Sequence, residues 1–439
     1  MDTEKIKRYS LVEVALLMIF MLGLLIAGLI VKLRARVILS DPIALPGFGL
    51  SVSIPSGPGW ERTPAWQYED AENSMTLIGQ FRRPGRGQTE VRWRFVFSTP
   101  AGSERELLER QAQRIGAVIQ SFGRMGQDCP LIYARMLIPS AAQDEVYMGM
   151  MRLDANRSLE LLVSSSEIGG IHGESVLRSM VGSIQYRPGQ EAADGRALMD
   201  EFLQTQANRL RRPPLPDEAF LIKDAVGKNR GYYYARRSFS GYNGRRPYRV
   251  SVRQFEYNVL EFESELWFDP IEKDYRWETD LSNPRMEGTV VYEIVPDESG
   301  TLLVTCNAKE IKTFSPDRFF LPEPLLTELA RVFLQSNHSS VIVDVLAARG
   351  QLVPVHLTKL PPEKAKAKSE AVESVVRINF LCHPDSYEEL LFDRSQNLLG
   401  KFEQQPGRRP RLWDAVSTES LQQIFKEDFD ENETVTVAL

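Results

Sequence analysis

The chain has 439 residues, of which 43% are hydrophobic and 26% charged, and its net charge is -6 with a pI of about 5.6. This composition excludes a disordered or collagen-like chain, and the length predicts two or three domains. A protein dedicated to nucleic acids is normally basic overall, so we expect no nucleic-acid partner. Three widely separated cysteines without Cys-x-x-Cys spacing predict neither a disulfide framework nor a zinc site.

The strongest signal is an apolar segment that follows a short tail at residues 1–10. Leu11 to Val31 reads LVEVALLMIFMLGLLIAGLIV and contains one charge, Glu13. A helix of this length measures roughly 30 Å, the thickness of a hydrocarbon core, and no small-residue cleavage site follows it. The pattern therefore predicts a membrane partner through one uncleaved transmembrane helix at 11–31; a buried helix is the alternative. Basic residues flank it equally, and we favour an extracytoplasmic C-terminal part, as in a signal anchor.

Beyond a stalk at 32–45, residues 46–187 alternate strand and helix patterns. GFGLSVSIP, MTLIGQF and VRWRFVF show the two-residue apolar period of half-buried strands. A helix is predicted over GSERELLERQAQRIGAVIQS, with Ser103 and Glu106 forming a capping box at its start. Three further strands and the helix ESVLRSMVGSIQY complete a predicted α+β sandwich.

A family resemblance rests on three short sequence motifs of this segment. GFGLSVSIPSGPGWE, SLELLVSS and VLRSMVGSIQY resemble the PsbP-like α/β/α sandwich, named for an extrinsic subunit of photosystem II. The resemblance covers residues 46–187 only. It implies an exported or peripheral non-enzymatic domain that supports assemblies, and it carries over no functional residue because no binding motif matches.

A linker at 188–196 precedes a second predicted α+β domain at 197–360, which opens with the helix ALMDEFLQTQANRL. Its strands form an antiparallel meander, with Asn243-Gly244 as a hairpin turn signal. Apolar residues of neighbouring strands must share one face. This condition predicts that Arg253 lies opposite Glu263, Arg249 opposite Trp267 and Val250 opposite Leu266.

A polar linker at 361–372 is followed by a small α+β unit at 373–430 and an acidic tail at 431–439. VVRINF…YEELLFD resembles VSVRQF…ESELWFD, and LQQIF resembles LARVF, so a partial repeat of the second domain is predicted. The fold class predicted for the whole chain is α+β: an N-terminal transmembrane helix followed by two or three α+β domains with mainly antiparallel sheets.

The stretch Gly227–Arg253 contains eight Lys or Arg residues and no acid. One interpretation is a charge-matched sheet, because the following strands are rich in glutamate and would neutralise it. The alternative is a basic patch that binds an anionic polymer, an anionic lipid or an acidic envelope protein. The residues of that candidate patch are Arg236, Arg237, Arg245 and Arg246.

Candidate catalytic and metal-binding residues do not converge in the sequence. Adjacent Cys382 and His383 would point to opposite faces of a strand, which suits proton transfer poorly. A serine run with the residue types of a hydrolase lacks the Gly-x-Ser-x-Gly elbow. Its members are Ser164, Ser165, Ser166, Glu167, His172 and Glu174. The remaining histidines, His338 and His356, lack paired spacing. The sequence therefore predicts no catalytic, metal or cofactor site.

Three functions remain open. The first is a membrane-anchored, extracytoplasmic and non-enzymatic binding or assembly module of the cell envelope. The second is a carrier or sensor whose middle sheet holds an apolar ligand against the aromatic residues Phe262, Trp267, Phe268 and Trp277. The third is an envelope hydrolase that uses His172 or His383. A cavity of several hundred Å³ lined by those aromatics would favour the second.

Overall fold

A computed structural model describes most of the chain in a series of ranges. They are 11–34, 37–45, 47–69, 73–82, 88–97, 99, 102–127, 129–139, 145–154, 157–165, 173–187, 189–210, 214–239, 247–257, 260–282, 289–296, 301–314, 319–347, 350–361, 363–364, 370–383, 385–407 and 409–426. Strands make up 49% of the structure and helices 23%. The protein is therefore mainly β.

The N-terminal part contains helices and strands up to residue 186. The helices are α1 (Leu11–Arg34), α2 (Glu104–Arg114) and α3 (Gly173–Val181). The strands are β1 (Ile43–Leu45), β2 (Leu50–Val52), β3 (Trp60–Arg62), β4 (Gln67–Glu69), β5 (Ser74–Arg82), β6 (Gln88–Val96), β7 (Val118–Met125), β8 (Leu131–Leu137), β9 (Glu145–Arg152), β10 (Ser158–Ser165) and β11 (Gln185–Tyr186).

The rest of the chain begins with a long helix and continues mostly as strands. The helices are α4 (Gln190–Arg209), α5 (Leu326–Gln335) and α6 (Thr418–Ile424). The strands are β12 (Glu218–Lys223), β13 (Asn229–Phe239), β14 (Tyr248–Glu256), β15 (Leu260–Asp269), β16 (Asp274–Ser282), β17 (Thr289–Pro296), β18 (Leu302–Cys306), β19 (Lys309–Phe314), β20 (Leu321–Pro322), β21 (Ser340–Leu346), β22 (Leu352–Lys359), β23 (Ser374–Phe380), β24 (Tyr387–Phe392), β25 (Leu398–Gln404) and β26 (Arg411–Ala415).

Two parts of the predicted fold class are wrong. The α+β class is replaced by a mainly β architecture, because half-buried strands continue where separate helix-covered domains were expected. The single-pass transmembrane helix at 11–31 is also wrong: within the described residues, no helix combines the length and the apolar character needed to cross a membrane.

In the N-terminal part, an eight-stranded sheet lies between two helices. Its strand order is β3-β5-β6-β10-β9-β8-β7, with β4 paired to β5. Helix α3 packs on one face together with the small sheet β1-β2-β11, and α2 packs on the other face. The capping box of Ser103 and Glu106 is confirmed, but α2 ends at Arg114. Gly116 follows in the left-handed region at φ 66°, and the predicted end of the helix is strand β7.

The larger sheet has fifteen strands and includes the C-terminal part of the chain. Its order is β19-β18-β17-β16-β15-β14-β13-β12-β26-β25-β24-β23-β22-β21-β20. The strands of the predicted unit at 373–430 therefore lie between β12 and β22 of the same sheet. Helix α5 and part of α4 fill the concave side, where their apolar residues join one core with strands from both halves of the sheet. Helix α4 begins at Gln190, inside the segment predicted as a linker.

The predicted pairing of β14 with β15 is confirmed at every position that the sequence specified. Arg253 lies opposite Glu263, Arg249 opposite Trp267 and Val250 opposite Leu266. Strands β13 and β14 pair as the predicted hairpin, while its turn signal Asn243-Gly244 lies outside the described residues. The apolar period of two thus determined both the face and the register of these strands.

The two parts of the molecule are joined by packing and by polar contacts. The core around α3 extends onto the outer face of the large sheet at Ile342 and Val353. Arg157 forms an ion pair with Asp344, and both side chains are largely buried. Since this core and this ion pair each include residues from both parts, the two sheets share an interior.

Candidate functional site

A cavity lies on the concave face of the large sheet, between strands and the start of α5. The residues of its wall can be identified from the strand register, because directly paired residues on neighbouring strands point to the same face of the sheet. Tyr233 lies opposite Gln254, and Gln254 lies opposite Phe262. On the other half of the sheet, Lys401 lies opposite both Leu390 and Trp413. The side chains of these six strands therefore converge on one space.

The cavity measures about 270 Å³ and is half open to solvent. Its wall combines aromatic and aliphatic side chains with several polar and charged ones. It is lined by Tyr233, Val252, Gln254, Leu260, Phe262, Trp277, Glu323, Pro324, Leu326, Thr327, Ile378, Phe380, Glu388, Leu390, Lys401 and Trp413. A concavity that combines apolar side chains with a small set of polar groups is typical of a small-molecule site.

An ion pair lies in the wall of the cavity. The Nζ of Lys401 is 2.8 Å from a carboxylate oxygen of Glu388, and both side chains are about one-fifth exposed. The same Nζ lies 4.4 Å from the ring centre of Trp413, within the range of a cation–π contact. Burial alone would lower the pKa of Lys401, but the Glu388 carboxylate outweighs it and raises that pKa. Lys401 therefore carries its charge inside the site.

Trp413 contributes a second polar feature. Its side chain is only 4% exposed, and its buried Nε1 has no hydrogen-bond partner in the described part of the chain. An indole N–H is a donor, and an unsatisfied buried donor costs free energy. Trp413 lines the cavity, but its Nε1 is itself buried and is not exposed at the cavity wall.

A buried charge network lies next to the cavity, between the sheet and α5. Arg237 is 1% exposed and contacts Glu328 at 2.5 Å and Glu218 at 2.9 Å. Arg331 of α5 contacts the other oxygen of Glu218 at 2.6 Å. Burial alone would raise the pKa of Glu218, but Arg237 and Arg331 together hold it below its ordinary value. The network fixes α5, and with it the cavity wall, against β12 and β13.

The residues of the candidate basic patch do not all lie on the surface. Arg236 is exposed, whereas Arg237 is buried in the charge network and cannot bind an external anion. Arg245 and Arg246 lie outside the described residues. Elsewhere the basic stretch pairs as the charge-matched interpretation predicts: Arg249 contacts Glu265 at 2.6 Å and Arg253 contacts Glu263 at 2.7 Å.

The candidate catalytic residues are not brought together where they are described. Cys382 is buried in the core of the N-terminal part, and the ring of His383 stacks edge-on against Tyr68. Ser164 and Ser165 end strand β10, and Glu174 pairs with Arg178 within α3. Ser166, Glu167 and His172 lie outside the described residues.

The two remaining histidines lie beside the first turns of α4. His338 faces Asp194 at 3.4 Å and His356 faces Glu191 at 3.3 Å. Ser340 donates a hydrogen bond to the same oxygen of Glu191. The acid thus lies between the hydroxyl and the imidazole, whereas nucleophilic catalysis needs the imidazole between the hydroxyl and the acid. Among the described residues, no three His, Cys, Asp or Glu side chains are grouped to hold a metal ion.

A second cavity of about 280 Å³ lies in the N-terminal part, between α2 and its sheet. Its polar wall includes Arg94 and Glu160, which form an ion pair with each other. Gln111 of α2 donates a hydrogen bond to the second oxygen of Glu160 at 3.2 Å. Arg94, Glu160 and Gln111 thus satisfy one another, whereas the Nε of Arg92 in the same wall has no hydrogen-bond partner in the described part of the chain.

Comparison with known proteins gives distant likenesses among solved structures. No protein-family model and no curated protein matches the sequence. Among solved structures, a β-barrel-like protein of a domain of unknown function from Brucella abortus is 12% identical, with a TM-score of 0.33, and the alignment covers 47% of this chain and 97% of that one. The Ran-binding protein Mog1p from Saccharomyces cerevisiae is 8% identical, with a TM-score of 0.26, covering 34% of this chain and 96% of that one. At these scores neither likeness supports a function, and the PsbP-like resemblance stays a prediction.

Sequence reasoning identified only part of the cavity wall. Phe262 and Trp277 line it as the carrier hypothesis predicted. Trp267 points to the opposite face, near Arg249 and Arg276, and Phe268 packs in the core against Phe202. The C-terminal wall, which includes Glu388, Lys401 and Trp413, was not predicted. The partial repeat predicted at 373–430 could have indicated this wall, because a repeated segment can add its strands to the sheet that the first copy forms.

Proposed function

We propose that this protein is a binding protein, a carrier or a sensor, that holds a small and largely apolar ligand in the cavity on the concave face of its large sheet. The observation that carries this proposal is the cavity of about 270 Å³ with five aromatic residues in its wall. They are Tyr233, Phe262, Trp277, Phe380 and Trp413. Burying a ligand against such rings removes apolar surface from water, which supplies most of the affinity in sites of this kind.

The polar groups of the wall support binding better than catalysis. Glu388 and Lys401 pair with each other at 2.8 Å. Neither is held against a Ser, Cys or Thr nucleophile among the residues that line the cavity. Such pairs orient a ligand, whereas covalent catalysis requires a nucleophile and a base within hydrogen-bond reach. We therefore propose a role without chemistry on the ligand.

Placement of the protein in the cell envelope and a role in assembly stay predictions from the sequence. A carrier or sensor is compatible with that placement but does not depend on it. The hydrolase hypothesis has no support from the described histidines, since His338, His356 and His383 contact acids or an aromatic ring. The cavity is therefore the feature that we propose to test.

The test uses prodan, a small neutral dye whose emission shifts when it leaves water. Thr327 lies half-buried in α5 and lines the cavity, so Thr327→Trp fills the space next to Pro324 and Leu326. The matched control is Gln335→Trp, which adds an indole at an exposed position of the same helix outside the cavity. We expect saturable prodan binding to the wild type and the control, and at least tenfold weaker binding to Thr327→Trp.

Two results would contradict the proposal. The first is an absence of saturable binding to the wild type. The second is equal affinity for the wild type and Thr327→Trp, which would place the dye elsewhere. Thermal unfolding of each variant shows whether the substituted proteins are folded at the temperature of the titration.

A further inference from the structure

The polar groups of the cavity wall differ in what they leave for a ligand. Lys401 and Glu388 contact each other at 2.8 Å, and the Lys401 ammonium also lies over the ring of Trp413. A charged ligand group that paired with Lys401 or Glu388 would compete with this contact, and a partly buried ion pair is costly to separate. Uncharged groups of the wall that have no partner do not carry this cost.

Tyr233 supplies a hydrogen-bond donor. It lines the cavity and is half-buried. Its hydroxyl forms no hydrogen bond within the described part of the chain, and its oxygen is not one of the atoms there that are sealed from solvent without a partner. The O–H is therefore accessible from the cavity. Burial, and to a lesser extent the carboxylate of Glu218, raises the pKa of Tyr233, so the phenol keeps its proton at neutral pH.

Gln254 supplies an acceptor directly opposite Tyr233 in the pairing of β13 with β14. Its amide nitrogen donates to Glu256 at 3.1 Å. Its amide oxygen is an acceptor that has no donor among the described residues, and this oxygen is not sealed from solvent either. Directly opposite residues of paired strands have Cβ atoms about 5 Å apart. The donor and the acceptor are therefore close enough to contact one group of a ligand.

A hydroxyl group fits this pair of contacts. It can accept a hydrogen bond from Tyr233 and donate its own proton to Gln254 at the same time. An ether, a ketone or a carboxylate only accepts, and an ammonium group only donates. Each of these would leave Tyr233 or Gln254 without a partner after the ligand has displaced water, which costs free energy.

We infer that the ligand of this cavity is an uncharged compound with an apolar body and a hydroxyl group, and that Tyr233 and Gln254 select it through that hydroxyl. This inference rests on the function proposed above and specifies its ligand class. The apolar body packs against Phe262, Trp277 and Leu390, which line the same space.

The first experiment compares three ligands that are uncharged at pH 7. They are 2-naphthol, 2-methylnaphthalene, in which a methyl group replaces the hydroxyl, and 2-methoxynaphthalene, which accepts but cannot donate. Displacement of prodan measures the affinity of each. We expect 2-naphthol to bind about tenfold more tightly than the other two, because a site with unpaired polar groups discriminates against an analogue that leaves them unpaired.

The second experiment removes the donor. Tyr233→Phe keeps the ring and deletes the hydroxyl, and we expect the affinity for 2-naphthol to fall about fivefold while that for 2-methylnaphthalene stays the same. The matched control is Tyr257→Phe, which deletes the hydroxyl of an exposed tyrosine just after β14 and outside the cavity. This control should change neither affinity.

The third experiment removes the acceptor. Gln254→Met keeps the length of the side chain, and we expect the affinity for 2-naphthol to fall about fivefold. The affinity for 2-methoxynaphthalene, which has no proton to donate, should stay the same. The matched control is Gln404→Met, at a half-buried position of β25 that does not line the cavity. Thermal unfolding identifies a variant that does not fold, and the other variant and the three-ligand comparison then decide the question.

The outcomes distinguish this inference from the proposed function. If prodan binds in the cavity but 2-naphthol binds no better than 2-methylnaphthalene, the ligand class is wrong and the binding function stands. Equal affinity of the wild type, Tyr233→Phe and Gln254→Met for 2-naphthol would also overturn the ligand class. If neither prodan nor any of the three naphthalenes binds, the proposed function itself is contradicted.

Discussion

At the scale of single residues, charges in this protein follow two different patterns. Arg253 pairs with Glu263 across neighbouring strands, and the two-residue period of the sequence predicted it. Arg237 belongs to the same basic stretch, yet it is buried against Glu218 and Glu328. Those acids lie on β12 and α5, and the contact with α5 joins residues that are 91 positions apart. Only the packing of α5 into the sheet reveals it.

Arg237 should therefore contribute strongly to stability. Replacing it by Met leaves two buried carboxylates, Glu218 and Glu328, without this partner, and loss of one member of a buried ion pair typically costs about 3–5 kcal/mol. The matched control is Arg236→Met at the exposed neighbour, which should change the free energy of unfolding by less than about 0.5 kcal/mol. Urea denaturation of the three proteins measures the difference, and equal stability of the two variants would contradict the role of Arg237.

The same network predicts how stability depends on pH. The pKa of Glu218 lies below its ordinary value of 4.5, so the folded state binds its proton less readily than the unfolded state does. Its contribution to stability is complete above pH 4.5 and is lost as the pH falls through the lowered pKa. We expect the stability difference between the wild type and Glu218→Gln to shrink from pH 6.5 to pH 3. A difference that stays constant over this range would contradict the assignment.

At the scale of elements, local patterns predicted the position of most strands but not where every element ends. The helix predicted over GSERELLERQAQRIGAVIQS extended past Ile119, whereas α2 ends at Arg114 and β7 begins at Val118. Gly116, which adopts a positive φ, was the available stop signal. The cavity could be predicted only in part for a related reason. Phe262 and Trp277 lie on adjacent strands, whereas Trp413 reaches them only through the order of strands in the sheet.

The start of α2 provides a test of local structure. The Ser103 hydroxyl accepts a hydrogen bond from the backbone N–H of Glu106, and the Glu106 carboxylate accepts one from the N–H of Ser103. Ser103→Ala should lower the free energy of unfolding by about 1 kcal/mol, because an amide at the helix start loses its partner. Ser179→Ala is the matched control, since this half-buried serine lies inside α3 and donates a hydrogen bond to the carbonyl of Ser175. Equal effects of the two substitutions would contradict the capping role.

At the scale of the whole molecule, the strand order makes the C-terminal part integral to the large sheet. Strands β23 to β26 lie between β12 and β22, and Ile378, Leu390 and Phe392 belong to the same core as α5. The sequence suggested a separate unit because a polar linker at 361–372 precedes it. A linker does not reveal where the following strands pair, so this arrangement could not be read from composition.

Removing the C-terminal part should therefore prevent the large sheet from folding. A chain that ends at residue 372 would leave β12 and β22 with unpaired edges and would expose the core around α5. We expect this truncated chain to lack the near-ultraviolet circular dichroism of the buried residue Trp277, whereas the full chain shows it. The matched control ends at residue 426 and keeps all strands of the described part of the chain. A truncated chain with a cooperative unfolding transition for residues 190–360 would contradict the single-sheet arrangement.

The central claim is that a ligand occupies the cavity on the concave face, and the six tryptophans of the chain allow a direct test. Their indole N–H signals can be followed by ¹⁵N NMR during titration with prodan and assigned by single Trp→Phe variants. Trp277 and Trp413 line the cavity, and Trp60, Trp66 and Trp93 belong to the N-terminal part. We predict saturable shifts of the Trp277 and Trp413 signals, with those of Trp60, Trp66 and Trp93 unchanged. Shifts confined to Trp60, Trp66 or Trp93, or no saturable shift, would contradict the claim.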